Sequence, residues 1–286
     1  MSGGAPPSAG FAPYVRPHDL PDFEAPPVTQ VAIALHFIAP QFRAVHAGLL
    51  WDRFRQRYPI VEEAPPIHTE VEDFRQHQTP LVQFQILNVP PVPLVSFVAA
   101  DRTSLVQVQR DRFQCAWRQG EAADAYPHYG ALRSDFIANA QVLSAFADEQ
   151  GLGDLPIVQA EIIFTNDVPA DRAFSDIVTM ATPSSRASSA ELPTPELVRA
   201  VQCYTFRSDE DLPYARLHVV AEPARSERGD VWRLTLAYRG EPFTGRQVND
   251  PLASVVEFLD EGHDRIVRAF ADATTGEMHT VWRRIK

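Results

Sequence analysis

The sequence predicts an α+β fold in which curved antiparallel sheets pack against amphipathic helices, divided into two lobes and ending in a long C-terminal helix. Three observations predict it. Several stretches alternate apolar and polar residues with the period of two of a half-buried strand. The apolar residues Leu252, Val255, Val256, Leu259, Ile266, Val267 and Phe270 recur at helical spacing, in a stripe interrupted only by His263. Strands come in runs followed by helices rather than in strict strand–helix–strand alternation, which favours antiparallel pairing.

Residues 1–27 are rich in proline, alanine and glycine without periodicity and read as a flexible arm, although Phe11, Tyr14 and Phe23 could dock on the body. An N-terminal lobe is expected over 28–168. It opens with a strand in which Val31, Ile33, Leu35 and Phe37 alternate with Ala32, Ala34 and His36. A helix from His46 to Tyr58 follows, with Leu50, Trp51, Phe54 and Tyr58 on one face and Pro59 ending it. Strands are then expected at Ile67 to Phe74, Leu81 to Leu87, Leu94 to Ala100, Ser104 to Gln109 and Phe113 to Arg118, the last two joined as a hairpin through the polar Asp111 region. A second helix presents Tyr129, Leu132, Phe136, Ala140, Leu143 and Phe146, with Gly151 as its C-terminal stop. The strand Ile157 to Thr165 completes the lobe, its Val158, Ala160, Ile162 and Phe164 alternating with Gln159 and Glu161.

Residues 169–196 include a run of small polar residues over 182–190 that lacks the apolar surface to offset ordering entropy, and they read as a linker or mobile loop. A C-terminal lobe is expected over 197–286. It holds strands at Val198 to Phe206, Tyr214 to Glu222 and Val231 to Tyr238, then the long helix. A capping box of Thr274 and Glu277 restarts a short helix carrying Met278, Val281, Trp282 and Ile285.

At 286 residues, 45% hydrophobic and 22% charged, the chain has the composition of an ordinary globular protein. Its net charge of -11 opposes nonspecific binding to nucleic acid or anionic membrane, both of which need a positive surface potential. Cys115 and Cys203 sit far apart in alternating apolar stretches, so each reads as a small buried hydrophobe and no disulfide framework is implied. No secretion signal and no membrane-length apolar run is present, which makes the cytoplasm the default location.

Several stretches carry a resemblance. They are Pro26-Pro27-Val28; Leu50-Trp51 with Phe54, Tyr58-Pro59 and Glu62-Glu63; the run from Leu105 through Gln107, Gln109, Arg110 and Arg112 to Phe113, with Trp117-Arg118; Tyr126 to Tyr129; and Gly262-His263 with Phe270, Thr274-Thr275, Met278-His279 and Trp282. As a set, spanning most of the chain beyond the arm, these resemble a sporadically distributed family of uncharacterised bacterial proteins. The resemblance carries over no activity, cofactor or catalytic residue. What it implies is an accessory role in defence, toxin control or a specialised biosynthetic cluster.

Candidate chemistry is sparse. His68, Glu70 and Glu72 alternate on an expected strand, so a shared face could hold a divalent metal, although a solvated face explains them as well. His263 with Asp260 one turn earlier is a spacing at which a carboxylate can orient an imidazole. A histidine on an apolar face is nonetheless more often a satisfied core residue. Tyr126, His128 and Tyr129 at the mouth of the second helix could line a pocket, although helix-start punctuation, with Pro127 suited to a first helical turn, explains them as well. Arg110 and Arg112, within an arginine- and aromatic-bearing hairpin over 102–118, could contact a partner or nucleic acid, against the bland reading of a solvated hairpin edge. No GxxxxGK[ST], GxGxxG, HExxH or CxxC motif occurs, and no cofactor is expected.

Three expectations of function follow. The first is a non-enzymatic accessory or adaptor protein that binds a protein or peptide partner, suggested by the missing catalytic motifs, the arm and the loop. The second is a small-ligand binder or enzyme with a cavity between sheet and C-terminal helix, suggested by His263. The third is nucleic-acid association through the arginine hairpin, which the net charge opposes. A homo-oligomer is compatible with all three.

Overall fold

A computed structural model describes residues 10–68, 71–74, 92–120, 126–180, 198–227, 229–245, 248 and 250–286. Its elements are β1 (Val28–Phe37), α1 (Ala44–Phe54), β2 (Ile60–Ala64), β3 (Leu94–Val98), β4 (Ser104–Gln109), β5 (Arg112–Arg118), α2 (His128–Glu149), β6 (Ile157–Pro169), α3 (Phe174–Ile177), β7 (Ala200–Arg207), β8 (Pro213–Ser226), β9 (Gly229–Gly240), α4 (Pro251–Ala273) and α5 (Gly276–Val281). All nine strands form one open antiparallel sheet in the order β2-β3-β4-β5-β1-β6-β9-β8-β7. The mixed α+β class and the long C-terminal helix are therefore as the sequence predicts.

The same order of elements occurs twice: a strand, a helix, an antiparallel meander, a helix. In each half the first strand returns to pair with the last strand of its own meander, β1 with β5 and β6 with β9. The two first strands pair with each other, Ile33 opposite Ile162, so the strands on both sides of the expected linker share one sheet. The long helices α2 and α4 lie on one face of that sheet and touch each other, α2 against β5 and α4 against β6 and β9.

Alternation decides which side chains enter the core. Ile33 and Leu35 of β1, Phe113 of β5, Ile162 of β6, and Leu236 and Tyr238 of β9 face the helices and join one buried cluster with Phe136, Leu143, Phe258 and Leu259. Each large side chain of this kind contributes on the order of 1.5–3 kcal/mol when buried. α4 starts where the Asp250 carboxylate accepts from the amides of Leu252, at 2.9 Å, and Ala253, with Pro251 supplying a first turn that needs no donor. α2 stops at Gly151, whose φ of +62° suits a residue without Cβ.

Several boundaries differ from the sequence reading. Among the described residues, 67, 68 and 71–74 are not strand, and the strand expected at 81–87 lies outside the described residues. β2 was not anticipated, because an edge strand with mostly exposed side chains has no apolar alternation to show. α3 falls inside the stretch expected as linker, where Ile177 is buried and Phe174 packs edge-on to Trp232 at 5.0 Å. The cap of α5 is Thr275 rather than Thr274, whose hydroxyl donates instead to the Phe270 carbonyl. Cys203 is exposed, since β7 is an edge. Residues 10–27 lie along the body, with Leu20 and Phe23 buried and the Glu24 amide donating to the Arg283 carbonyl at 3.1 Å.

Candidate functional site

α4 comes close to the sheet at Gly262, where a Cβ would come within 2.5 Å of the Tyr238 ring. The next residue, His263, is thereby pressed into the layer and is 2% exposed. Its ring stacks on Tyr129 of α2, with centroids 4.2 Å apart and planes 10° from parallel. Nδ1 lies 3.1 Å from an Asp264 carboxylate oxygen and 3.0 Å from the Tyr14 hydroxyl. That hydroxyl donates to the same Asp264 oxygen. With the phenolic proton so used, the contact between Nδ1 and the carboxylate requires the imidazole proton on Nδ1, which leaves Nε2 as an acceptor. Burial pushes His263 below the ordinary histidine range while Asp264 pulls the other way, so the ring is neutral at pH 7. Burial raises the phenols of Tyr14, Tyr126 and Tyr129, which stay protonated donors.

Beside His263 is a cavity of about 70 Å³ between the sheet, at Val28, Phe164 and Leu236, and α4, at Ile266 and Phe270. One ordered water needs on the order of 10–15 Å³, so the space takes several waters or a compact molecule. Arg16, Tyr126 and His128 also line it. The buried Nε of Arg16 and the Tyr126 hydroxyl have no hydrogen-bond partner. The carboxylate that orients the imidazole is Asp264, not Asp260. Asp260 instead accepts from the Tyr129 hydroxyl at 2.7 Å and from Arg133 through Nε at 2.8 Å and Nη2 at 3.1 Å, which fastens α2 to α4.

The chain matches no protein-family model, no curated protein and no solved structure.

A wider groove of about 880 Å³ opens at the other end of the β1–β6 pair, between Leu35, Phe37, the C-terminal half of α2 and the start of α4. None of its lining side chains carries a buried polar atom without a partner.

The second face of the sheet, away from the helices, is also buried, and beside a small apolar cluster of Ala32, Val98, Leu105 and Ala116 it carries polar rows. One cross-strand row runs Ser96, Gln107, Gln114, Ala34, Glu161, Arg239, Arg216. A neighbouring row runs Gln109, Arg112, His36, Gln159. Glu161, 3% exposed, pairs with His36 at 3.2 Å, Arg112 at 3.3 Å and Arg239 at 3.5 Å. Burial works to raise its pKa, yet the His36 hydrogen bond and the two guanidiniums hold it below the ordinary value.

Of the three residues expected to share a metal-binding face, His68 is exposed, Glu70 lies outside the described residues, and Glu72 is buried against Arg216, His218 and Arg239. Among the described residues no group of three or more metal-ligating side chains forms. Arg110 is exposed, whereas Arg112 turns inward to Gln114 and Glu161. The β4–β5 hairpin that carries them is interior to the sheet, flanked by β3 and β1, and so is not an edge. Sequence reasoning named Tyr14 only as an arm residue that could dock on the body, and it missed Asp264 and the polar rows. The rows had a signal in Gln107 and Gln109 and in Gln159 and Glu161, polar residues two apart on expected strands and so on one face.

Proposed function

We propose that the chain is a small-ligand-binding protein that holds a compact, largely apolar molecule bearing a hydroxyl or similar donor–acceptor group in the cavity between the sheet and α4. The observation that carries this reading is an apolar cavity lined by His263, Tyr126 and Arg16, at which the buried Tyr126 hydroxyl and Arg16 Nε have no hydrogen-bond partner and His263, with Nδ1 engaged by Asp264 and Tyr14, has Nε2 left to accept. A buried polar group left unpaired costs about 1–3 kcal/mol, which a ligand supplying the missing partner recovers. The apolar walls then select for size and the polar atoms for orientation. Asp264 and Tyr14 hold the imidazole in the tautomer that accepts from the ligand.

Phenol is a suitable probe, because one oxygen can donate to Nε2 and accept from Tyr126. Calorimetric titration, with the His263 ring nitrogens followed by NMR, is expected to show phenol binding at least tenfold tighter than benzene and perturbing Nε2. His263→Phe is expected to erase the preference. Equal affinity for phenol and benzene, or binding of neither at millimolar concentration, would sink the reading.

A further inference from the structure

The residues around Glu72 are held on the second face of the sheet by side chains rather than by a strand ladder. At one end, Gln109 of β4 grips Ile67 on both backbone groups, donating to its carbonyl at 2.9 Å and accepting from its amide at 3.1 Å. In the middle, Gln159 of β6 accepts from the Glu72 amide at 2.8 Å. At the far end, Arg216 of β8 donates to the Asp73 carbonyl at 3.1 Å and stacks on Phe74 at 5.0 Å. The Glu72 carboxylate is taken by Arg216 at 2.7 Å, by His218 at 2.7 Å and by Arg239.

Two kinds of recognition are therefore combined. Amide side chains bonded to main-chain groups hold an extended chain of any sequence, whereas two guanidiniums and an imidazole around one carboxylate select for an acid at one position. The contacts of Ile67, Glu72 and Asp73 fall in turn on β4, β6 and β8, and among the described residues 67, 68 and 71–74 none is in a strand. We infer that this face is a groove for an extended acidic peptide of a partner protein, and that the residues around Glu72 occupy it in cis. The anchor is strong enough to matter: burial would raise the pKa of Glu72, yet its hydrogen bonds hold it down to about 2. The polar row continues beyond the anchor to His36, 1% exposed, whose Nδ1 has no hydrogen-bond partner.

The site lies on the opposite side of the sheet from the His263 cavity, so phenol binding and peptide binding succeed or fail separately. The test uses the full chain carrying Glu72→Ala and a fluorescein-labelled peptide of the chain's own residues 67–74, read by anisotropy. Binding to the variant is expected to be at least tenfold tighter than to the wild type, whose own segment competes. A peptide with glutamine in place of the anchoring glutamate is expected to bind at least tenfold more weakly. The inference is overturned if the folded variant does not bind, if the glutamine peptide binds equally, or if inorganic phosphate displaces the peptide at matching concentration, which would mark a general anion site. Should circular dichroism show that Glu72→Ala does not fold, hydrogen exchange in the wild-type protein decides. A displaceable occupant requires the Glu72 amide to exchange at least a hundredfold faster than the Ile162 amide in the β1–β6 ladder. Exchange of both at the rate of global unfolding rejects it.

Discussion

Tyr129 and His263 lie face to face across the junction of α2 and α4, and the hydroxyl of the same tyrosine donates to Asp260 one turn before the histidine. The contact joins the two halves of the molecule, since each long helix closes one repeat of strand, helix, meander and helix. It also fixes the imidazole from a third side, after Asp264 and Tyr14. The position of His263 is thus set by α2 and the N-terminal segment as much as by α4.

Replacing Tyr129 by Phe keeps the stack and removes one donor to Asp260, while Arg133 still provides two. The expected cost is about 1 kcal/mol. Asp260→Ala leaves the buried Arg133 guanidinium without its carboxylate and is expected to cost about 3 kcal/mol. Urea denaturation with an unchanged m-value measures both. An Asp260→Ala cost at or below that of Tyr129→Phe would show that the ion pair does not hold the helices together.

Glycine-to-alanine changes in two helices are expected to have opposite signs. At Gly48 in α1 nothing lies within 4 Å of the added carbon, so the gain in helix preference stands and stability rises by about 0.5–1 kcal/mol. At Gly262 the carbon would meet Tyr238 at 2.5 Å and Ile162 at 3.0 Å, both in the packed sheet face, and stability falls by about 1–3 kcal/mol. Thermal melts of the two variants settle the signs.

Much of this arrangement is legible in the sequence. The stripe from Leu252 to Phe270 placed α4, and alternation placed the core faces of β1, β5, β6 and β9, because burial against one layer imprints a period on the chain. Period alone does not say what covers the other face. His36, Gln159 and Glu161 alternate with apolar residues as a solvated row would, yet all three are buried, with the Glu72 amide bonded to Gln159. Nor could spacing reveal that Tyr14, 249 residues away, completes the surroundings of His263. Asp260 looked like the orienting acid because it is one turn away, but that position faces α2, where Arg133 waits.

The two thiols should separate in reactivity. Cys115 is buried, with burial pushing its thiol up to about 12, while Cys203 is exposed on the edge strand β7. A disulfide reagent at pH 8 is expected to modify one thiol per native chain and two in denaturant. Cys203→Ser should remove the native signal altogether; rapid native modification in that variant would mean that the α2–β5 layer opens far more readily than its packing implies.

Glu72 sets an acid limit on stability. Burial opposes ionisation, but hydrogen bonds from His218, Arg216 and Arg239 prevail and hold the folded-state pKa at about 2, below its ordinary 4.5. Because the folded state binds this proton less readily than the unfolded chain does, the stabilisation is complete above about pH 4.5 and is lost as pH falls towards 2. Glu72→Gln removes the carboxylate that the buried Arg216 shares with Arg239 and is expected to lower stability at pH 7 by on the order of 3 kcal/mol. Since protonated glutamic acid resembles glutamine, the gap between wild type and variant must narrow steadily between pH 4.5 and 2. Urea denaturation of both proteins at pH 7, 4 and 3 tests the sign, and a gap that stays constant over that range would mean that the Glu72 carboxylate does not anchor its segment.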